Sequence, residues 1–248
     1  MRRILILITI LVLSICGYVY YLDLNDSDKL NRKAFDTVMS EKMEQLYVQA
    51  RNWKKPLSMQ VEDNRLEGDY KVMSEFILKY WMDNIEARNS YLRQLDRADW
   101  DHFLSATRFE QDRKAAYQQT TQMLSIVKTA TAEYKTKHEQ IGTKALEDLA
   151  TLDVNKNMRE SMQEKLEATR QDNDEIALLH IEMQILEKAE QMFAMLKKYK
   201  WVNKNDMFLF EKDEQVRKFN LLYAEVLEFQ QQINELKKQN ARFFEEDE

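Results

Sequence analysis

Glycine and proline are nearly absent from this sequence, and their scarcity constrains the fold more than any other feature. The 248 residues include three glycines and one proline, whereas roughly 7% glycine and 5% proline are ordinary. Sandwiches, barrels and α/β folds use these residues at most of their turns. The content of 44% hydrophobic and 10% aromatic residues is nevertheless sufficient for a core, which argues against disorder. We therefore predict an all-α protein.

An uncharged apolar run occupies residues 4–22, with the sequence ILILITILVLSICGYVYYL. A helix that spans a bilayer needs about 20 apolar residues, so the run has the length of a transmembrane helix. Arg2 and Arg3 precede it and tyrosines close it, which suits the membrane–water interface. These features predict a signal anchor in the inner membrane of a bacterial cell, with residues 23–248 in the periplasm.

Two other interpretations of the apolar run stay open. It is compatible with a cleaved signal peptide, because Ser14 and Cys16 are small enough for a cleavage motif. It is also compatible with a lipoprotein acylated at Cys16, because residues 13–16 look like a lipobox except at Ile15, where a small residue is expected.

The orientation of the apolar run in the membrane is only weakly indicated, because basic residues are nearly equal in number before and after it. A short basic head before an apolar run is typical of a secretory signal, which favours a cytoplasmic N-terminus.

Hydrophobic residues recur at helical spacing through most of the remaining chain. Few breaks interrupt this pattern, so we predict an elongated antiparallel bundle of long helices over residues 23–248. Its charged residues, 32% of the chain, are expected to form the solvated faces of these helices. The predicted helices cover about 26–54, 69–97, 107–141, 144–152, 158–199 and 207–243.

Local signals position the boundaries of these helices. Thr107 and Glu110 match a capping box, which predicts the start of the third helix. Gly142 predicts either the end of that helix or a kink in it. Residues 202–205, with the sequence Val-Asn-Lys-Asn, predict a turn, and Asp206 is the expected cap of the last helix.

The last predicted helix has the sharpest pattern in the chain. Its apolar residues lie alternately four and three positions apart, which is the heptad seam of a coiled coil, and one Asn in such a seam sets the register. We expect the seam to pack on the preceding long helix, because the short turn makes the two helices antiparallel neighbours. Pairing with a second copy, in a homodimer, is the alternative. The seam comprises Leu222, Val226, Phe229, Ile233, Leu236, Asn240 and Phe243.

The sequence contains no established pattern for catalysis or for a cofactor. None of His102, His138 and His180 has a Glu three residues earlier, as the Glu-x-x-His motif of di-metal bundles requires. Asp99 with His102 is a candidate ligand pair, and His180 with Met183 is a candidate haem pair. An ordinary helix start explains the Asp99–His102 pair without a ligand. A place for Met183 in the core explains the His180–Met183 pair in the same way. We therefore predict a non-enzymatic protein with no catalytic, cofactor-binding or metal-binding residues.

Lysines and aromatic residues form a basic cluster near position 200, comprising Lys197, Lys198, Tyr199, Lys200 and Trp201. Phosphates of lipid headgroups or of nucleic acid are its candidate ligands. A helix C-terminus is the alternative explanation, because cations there complement the helix dipole. The net charge of −6 and the predicted compartment argue against nucleic acid as a partner.

Together these features predict a membrane-anchored scaffold of the bacterial cell envelope, which works through interactions with protein partners. The alternative is an extracytoplasmic ligand-binding or sensory bundle in which Tyr80, Trp81 and Trp100 line a pocket. The two hypotheses predict different structures. An aromatic-lined cavity with convergent polar groups indicates a ligand site, whereas a filled core with exposed apolar patches indicates a scaffold.

Overall fold

The computed structural model of the chain describes residues 26–171 and 174–245. The prediction of a mostly helical protein is confirmed, because these ranges form seven helices and one two-stranded sheet. None of these helices combines the length and the apolar character of a membrane span. The predicted anchor, including Cys16, lies outside the described residues. The elements are α1 (Asp26–Arg51), α2 (Gly68–Arg97), α3 (Ala106–Arg113), α4 (Gln118–Ala150), α5 (Lys156–Gln171), α6 (Asp174–Lys198), β1 (Trp201–Lys204), β2 (Met207–Phe210) and α7 (Asp213–Glu245).

The described residues divide into two compact units, and neither unit is one continuous stretch of chain. We call residues 26–90, 134–171, 174 and 240–245 the first unit. Residues 91–133 with 175–239 form the second unit. Helices α2, α4, α6 and α7 contribute residues to both units.

The first unit has a hydrophobic core made by residues of α1, α2, α4 and α5. Trp81 and Leu78 of α2 are 0% exposed, and each such burial contributes about 1.5–3 kcal/mol. Trp81 therefore belongs to the core and not to a pocket, contrary to the ligand-binding hypothesis. Other members of this core are Phe35, Val38, Leu46, Met73, Ile77, Ile141, Leu149 and Leu166.

An irregular segment joins α1 to α2, as the loop signal before Pro56 predicts. The guanidinium of Arg65 binds Glu41 and Asp63 at 2.6 and 2.9 Å, which attaches this segment to α1. The hydrogen bonds from Arg65 lower the pKa of Asp63 to about 2. Gly68 begins α2 with a φ of 54°, a left-handed conformation that glycine adopts without strain.

The prediction of one helix over 107–141 is wrong, because a reversal separates α3 from α4. Ala116 and Tyr117 lie in this reversal with φ of 52° and 60°. Asp112 stabilises the start of α4 by accepting hydrogen bonds from the N–H groups of Gln119 and Thr120, at 2.9 and 2.7 Å. No glycine or proline marks the reversal, so the sequence gives no composition signal for it.

Two predicted boundaries of these helices need correction. Ser105, and not Thr107, is the N-cap of α3, since its Oγ accepts a hydrogen bond from the N–H of Arg108 at 3.3 Å. Gly142 does not end a helix, because α4 continues to Ala150. Gly142 is buried, and a glycine inside a helix costs about 1 kcal/mol relative to alanine.

The predicted long helix over 158–199 is described as α5 and α6. Residues 172–173 between them lie outside the described ranges. The predicted turn near residues 153–157 agrees with the structure, where α4 ends at Ala150 and α5 starts at Lys156.

A β-hairpin occupies the place of the simple turn predicted at residues 202–205. Strands β1 and β2 pair antiparallel, and Asn205 and Asp206 connect them with φ of 54° and 59°. Positive φ at both positions is typical of the type I′ turn. Because β2 follows this turn, the last helix begins at Asp213, and Asp206 is not its cap.

Candidate functional site

A cavity of about 460 Å³ lies within the second unit. Residues from the end of α2, the first half of α4, α6 and α7 line it, together with the segment after α2. Its volume falls in the range of small-molecule sites. The apolar part of the lining includes Phe103, Val127, Leu186, Met192, Val226 and Ile233.

Antiparallel packing of α6 and α7 forms one wall of the cavity. The Nζ of Lys188 on α6 lies 2.7 Å from a carboxylate oxygen of Glu225 on α7. The hairpin between the two helices reverses the chain and brings them side by side. The sequence predicted that these two helices are neighbours, and the structure agrees. A hairpin connects them, whereas the prediction was a simple turn.

Short side chains account for the space inside this bundle. Ala189 lies on α6 among longer apolar residues and is only 4% exposed. Thr131 lines the cavity from α4, and its hydroxyl donates a hydrogen bond to the carbonyl of Val127 at 2.8 Å. Larger side chains at these positions would occupy the volume that now remains open.

Aromatic side chains form another part of the lining. Tyr91 is buried at 4% exposure. Trp100 is half-buried, and its ring centroid lies 4.8 Å from that of Phe103. Of the three aromatic residues predicted to line a pocket, Trp100 lines this cavity. Tyr80 lines a different cavity, of about 250 Å³, in the first unit, and Trp81 is buried in the core of that unit.

Polar residues meet the cavity where it opens to solvent. Asp101, Gln230 and Asn234 line the cavity and are exposed, whereas Val127 and Met192 are buried. Glu182 also lines the cavity and is half-buried. The site therefore has an apolar interior and a polar mouth.

The carboxyl of Asp101 is electrostatically perturbed at this mouth. Partial burial raises its pKa, and the nearby carboxylates of Asp96 and Asp99 act in the same direction, while His102 opposes them. The residue as a whole stays in contact with solvent, so the carboxyl loses only part of its hydration. Asp101 and Glu182 are the acidic groups of the lining, which contains no Lys, Arg or His.

The heptad seam of α7 contributes to the same cavity. Leu222 and Val226 are buried, and Phe229, Ile233 and Leu236 are half-buried. Val226 and Ile233 line the cavity. The side chains of Asn240 and Phe243 lie outside the described part of the chain, and the coiled-coil interpretation stays a prediction.

The three histidines are not brought together. The Nδ1 of His102 lies 2.6 Å from a carboxylate oxygen of Asp99, His138 is half-buried in the first unit, and His180 is exposed. Met183 is 41% exposed, so its prediction as a core residue is wrong. Over residues 26–171 and 174–245, no three His, Cys, Asp or Glu side chains are placed to hold a metal ion.

The basic cluster lies at the C-terminus of α6. Lys197 and Lys198 form the last turn of this helix, where cations complement the helix dipole. Lys200 lies 3.9 Å from Glu211 across the open end of the hairpin. Trp201 is buried, and its indole N–H donates to the carbonyl of Leu196 at 2.9 Å.

The two faces of the hairpin have different environments. One face packs into an aromatic cluster, in which the ring of Phe208 lies 5.5 Å from that of Phe109 and 5.4 Å from that of Phe219. The other face is exposed and carries Lys204 and three apolar residues. These apolar residues, Val202, Met207 and Leu209, are 59%, 55% and 40% exposed.

Comparison with protein-family models, with curated proteins and with solved structures finds no match for this chain. Function is therefore argued from the chemistry of the cavity and of the exposed surfaces. Sequence reasoning missed Tyr91, Asp101 and Glu182 as lining residues. Asp101 lies between the predicted helices over 69–97 and 107–141, and this break is the one local signal in the sequence that pointed to the region of the cavity.

Proposed function

We propose that the chain is a non-enzymatic ligand-binding bundle of the bacterial cell envelope, anchored in the inner membrane by residues 4–22. The observation that carries this proposal is the cavity of about 460 Å³ in the second unit. An apolar, partly aromatic interior with a few polar groups at the mouth is typical of small-molecule sites. The lining contains no Cys, Ser or His, which favours binding over nucleophilic catalysis.

The proposal predicts that filling the cavity abolishes binding. Ala189→Phe places a large side chain into the space, whereas Ala224→Phe adds the same side chain at an exposed position of α7. The test uses the full chain in lipid nanodiscs and 4-(4-fluorophenyl)butan-1-ol, followed by fluorine NMR line broadening. Empty nanodiscs give the signal from partitioning into lipid.

We expect saturable binding of the alcohol to the wild type and to Ala224→Phe, and none beyond the lipid signal to Ala189→Phe. Cooperative unfolding of Ala189→Phe in a denaturant titration checks that the variant is folded. Equal binding to all three proteins, or no binding to the wild type, would contradict the proposal.

A scaffold role is the second candidate, and the exposed apolar face of the hairpin favours it. Large apolar side chains in contact with water often mark an interaction surface. The homodimer is the specific form of this hypothesis. Sedimentation equilibrium of the full chain in detergent should then show a dimer that Val202→Lys with Leu209→Lys converts to a monomer. A wild type that is monomeric at all concentrations would exclude this arrangement.

A further inference from the structure

We infer that the outer edge of β2 pairs with β2 of a second copy of the chain, so that two hairpins join into one four-stranded antiparallel sheet. This pairing supplies the interface for the homodimer of the scaffold hypothesis and does not depend on ligand binding in the cavity. Three features of the hairpin support it: the outward backbone groups of β2, the composition of the strand, and the symmetry of its register.

The connecting turn determines which backbone groups of β2 face away from β1. A type I′ turn is closed by a hydrogen bond between its first and fourth residues, which here are the paired residues Lys204 and Met207. Hydrogen-bonded and non-hydrogen-bonded pairs alternate along antiparallel strands, so Leu209 belongs to the next bonded pair. Phe208 and Phe210 belong to the non-bonded pairs, and their N–H and C=O groups therefore point outward.

The two edges of the hairpin differ in what covers them. The same alternation turns the carbonyl of Trp201 outward from β1, and this carbonyl accepts a hydrogen bond of 2.9 Å from Arg113 of α3. On the other edge, no residue in the described part of the chain forms a hydrogen bond with the outward backbone groups of Phe208 and Phe210. Such an edge is a template for a further strand.

The composition of β2 does not protect this edge. Proteins usually shield an edge strand with charged residues, proline or a bulge. Strand β2 reads Met-Phe-Leu-Phe and pairs with β1 in a continuous register, so it has none of these devices. Met207 and Leu209 project from it at 55% and 40% exposure. Addition of a strand would satisfy the backbone groups and cover part of this apolar surface.

A second copy fits this edge because the register is self-complementary. When two β2 strands are centred antiparallel on Leu209, Phe208 of each copy lies opposite Phe210 of the other, and each of these pairs exchanges two hydrogen bonds. All the outward groups of both strands are then satisfied. A register centred on Phe208 would instead need the N–H of Asp206, which already donates to the side-chain oxygen of Asn203 at 3.1 Å.

The ends of the pairing carry complementary charges. In the register centred on Leu209, Lys212 of one copy falls opposite Asp206 of the other, and the symmetry repeats this contact at the second end. Lys212 is exposed. The hydrogen bond from the N–H of Thr107 lowers the pKa of Asp206, so this carboxyl is charged at neutral pH. Opposite charges that face each other across paired strands stabilise the pair.

A charge at the centre of the interface tests the pairing. Leu209→Lys places two like charges opposite each other and should convert the dimer to a monomer in sedimentation equilibrium of the full chain in detergent. Val202→Lys is the matched control and should stay dimeric, because Val202 is exposed on the same face but lies on β1. Cooperative unfolding in a denaturant titration checks that both variants are folded.

Disulfide formation tests the register. Directly opposite residues of a non-bonded pair have Cα atoms about 4.5 Å apart, which is within the range of a disulfide. In a Cys16→Ser background, which removes the one native cysteine, Leu209→Cys should therefore form a covalent dimer on mild oxidation. Met207→Cys is the control, because its two copies would lie about 13 Å apart along the sheet, at about 3.3 Å per residue, and should stay unlinked.

Amide hydrogen exchange tests the hydrogen bonds themselves. The N–H groups of Phe208 and Phe210 should exchange slowly in the wild-type dimer and rapidly in the Leu209→Lys monomer, because only the dimer supplies acceptors for them. The N–H of Met207 is bonded within the hairpin and should be protected in both proteins. If Leu209→Lys does not fold, the disulfide test and the exchange rates of the wild type decide.

Several results would overturn the inference. One is a wild type that is monomeric at all concentrations. Another is a dimer that survives in Leu209→Lys, or one that Val202→Lys disrupts equally, since the exposed faces would then be stacked. Equal cross-linking through Met207→Cys and Leu209→Cys would contradict the register. Binding of the fluorinated alcohol is measured on the same proteins and tests the cavity separately, so failure of one proposal leaves the other standing.

Discussion

The Oδ1 atom of Asp206 accepts a hydrogen bond of 2.8 Å from the backbone N–H of Thr107, 99 residues earlier in the chain. The hydroxyl of Ser105 donates to the same oxygen at 3.2 Å. The first N–H groups of a helix have no partner within the helix, and here a side chain from the hairpin turn supplies one for α3. The hairpin and α3 are therefore held together by a cap that comes from a distant part of the sequence.

Loss of this cap should destabilise the second unit. We expect Asp206→Ala to lower the free energy of unfolding by about 2 kcal/mol. Loss of the cap accounts for about 1 kcal/mol, and an alanine at a φ of 59° costs about 1 kcal/mol more. Chemical denaturation of the full chain measures the difference. Asp153→Ala is the control, because Asp153 is exposed in another turn; an equal loss in the control would contradict the role of the cap.

The contribution of Asp206 should disappear in acid. The hydrogen bond from the N–H of Thr107 is the largest cause that lowers the pKa of Asp206 in the folded protein below the ordinary value of 3.8. A carboxyl group whose pKa is lower in the folded protein than in the unfolded chain stabilises the fold at pH values above its unfolded-state pKa. This stabilisation is lost as the pH falls through the folded-state pKa. The stability difference between wild type and Asp206→Ala should thus be constant from pH 5 to 7 and shrink below about pH 4. A difference that does not change with pH would show that the carboxylate charge is not involved.

Ala116 lies in a left-handed conformation, with a φ of 52°, that costs alanine about 1 kcal/mol and costs glycine little. Ala116→Gly should therefore raise the free energy of unfolding by about 0.5–1 kcal/mol, because relief of strain exceeds the added entropy of the unfolded chain. Thermal and urea unfolding measure this effect. Ala115→Gly, next to it and outside the set of positive-φ residues, should instead destabilise. Destabilisation by both substitutions would contradict the assignment of strain to Ala116.

Arg65 controls the ionisation of Asp63 in the segment between α1 and α2. Its hydrogen bonds lower the pKa of Asp63 to about 2, so Arg65→Met should return this pKa towards its ordinary value of 3.8. Carbon-13 NMR titration of the Asp63 carboxyl measures the change. Arg51→Met removes a cation that stacks on Tyr47, 5.3 Å from the ring, and should leave the titration unchanged. An Asp63 pKa that stays near 2 in Arg65→Met would contradict the assigned cause.

The helices were predictable from the sequence because hydrophobic spacing and the loop around Pro56 are local signals. The hairpin also has local signals, since Trp201, Phe208 and Phe210 lie on its packed side, and Asn205-Asp206 tolerates positive φ. The prediction of an all-α fold rested on the scarcity of glycine and gave these local signals less weight. Asparagine and aspartate replace glycine at this turn, so composition alone is a poor guide to short strands.

The reversal after α3 and the cavity were not predictable in the same way. Ala116 adopts a conformation that its residue type disfavours, and the energy comes from the contacts around it, such as the hydrogen bond of 3.1 Å from the hydroxyl of Tyr117 to the carbonyl of Leu196. The cavity depends on side chains as distant in sequence as Tyr91 and Asn234. Residue types can suggest which faces are buried, but the space left between them is set by tertiary packing.

The interleaved order of the two units has a consequence for biosynthesis. The first unit draws on residues 26–90 and 134–171, and the second on 91–133 and 175–239, so neither is a contiguous piece of the nascent chain. While α7 is still within the ribosome, apolar residues of α4 and α6 that line the same cavity as α7, such as Val127 and Met192, are not covered by it. Chaperones that hold unfolded chains should therefore engage this protein until synthesis is almost finished, and truncation from the C-terminus should cost the second unit its fold before the first.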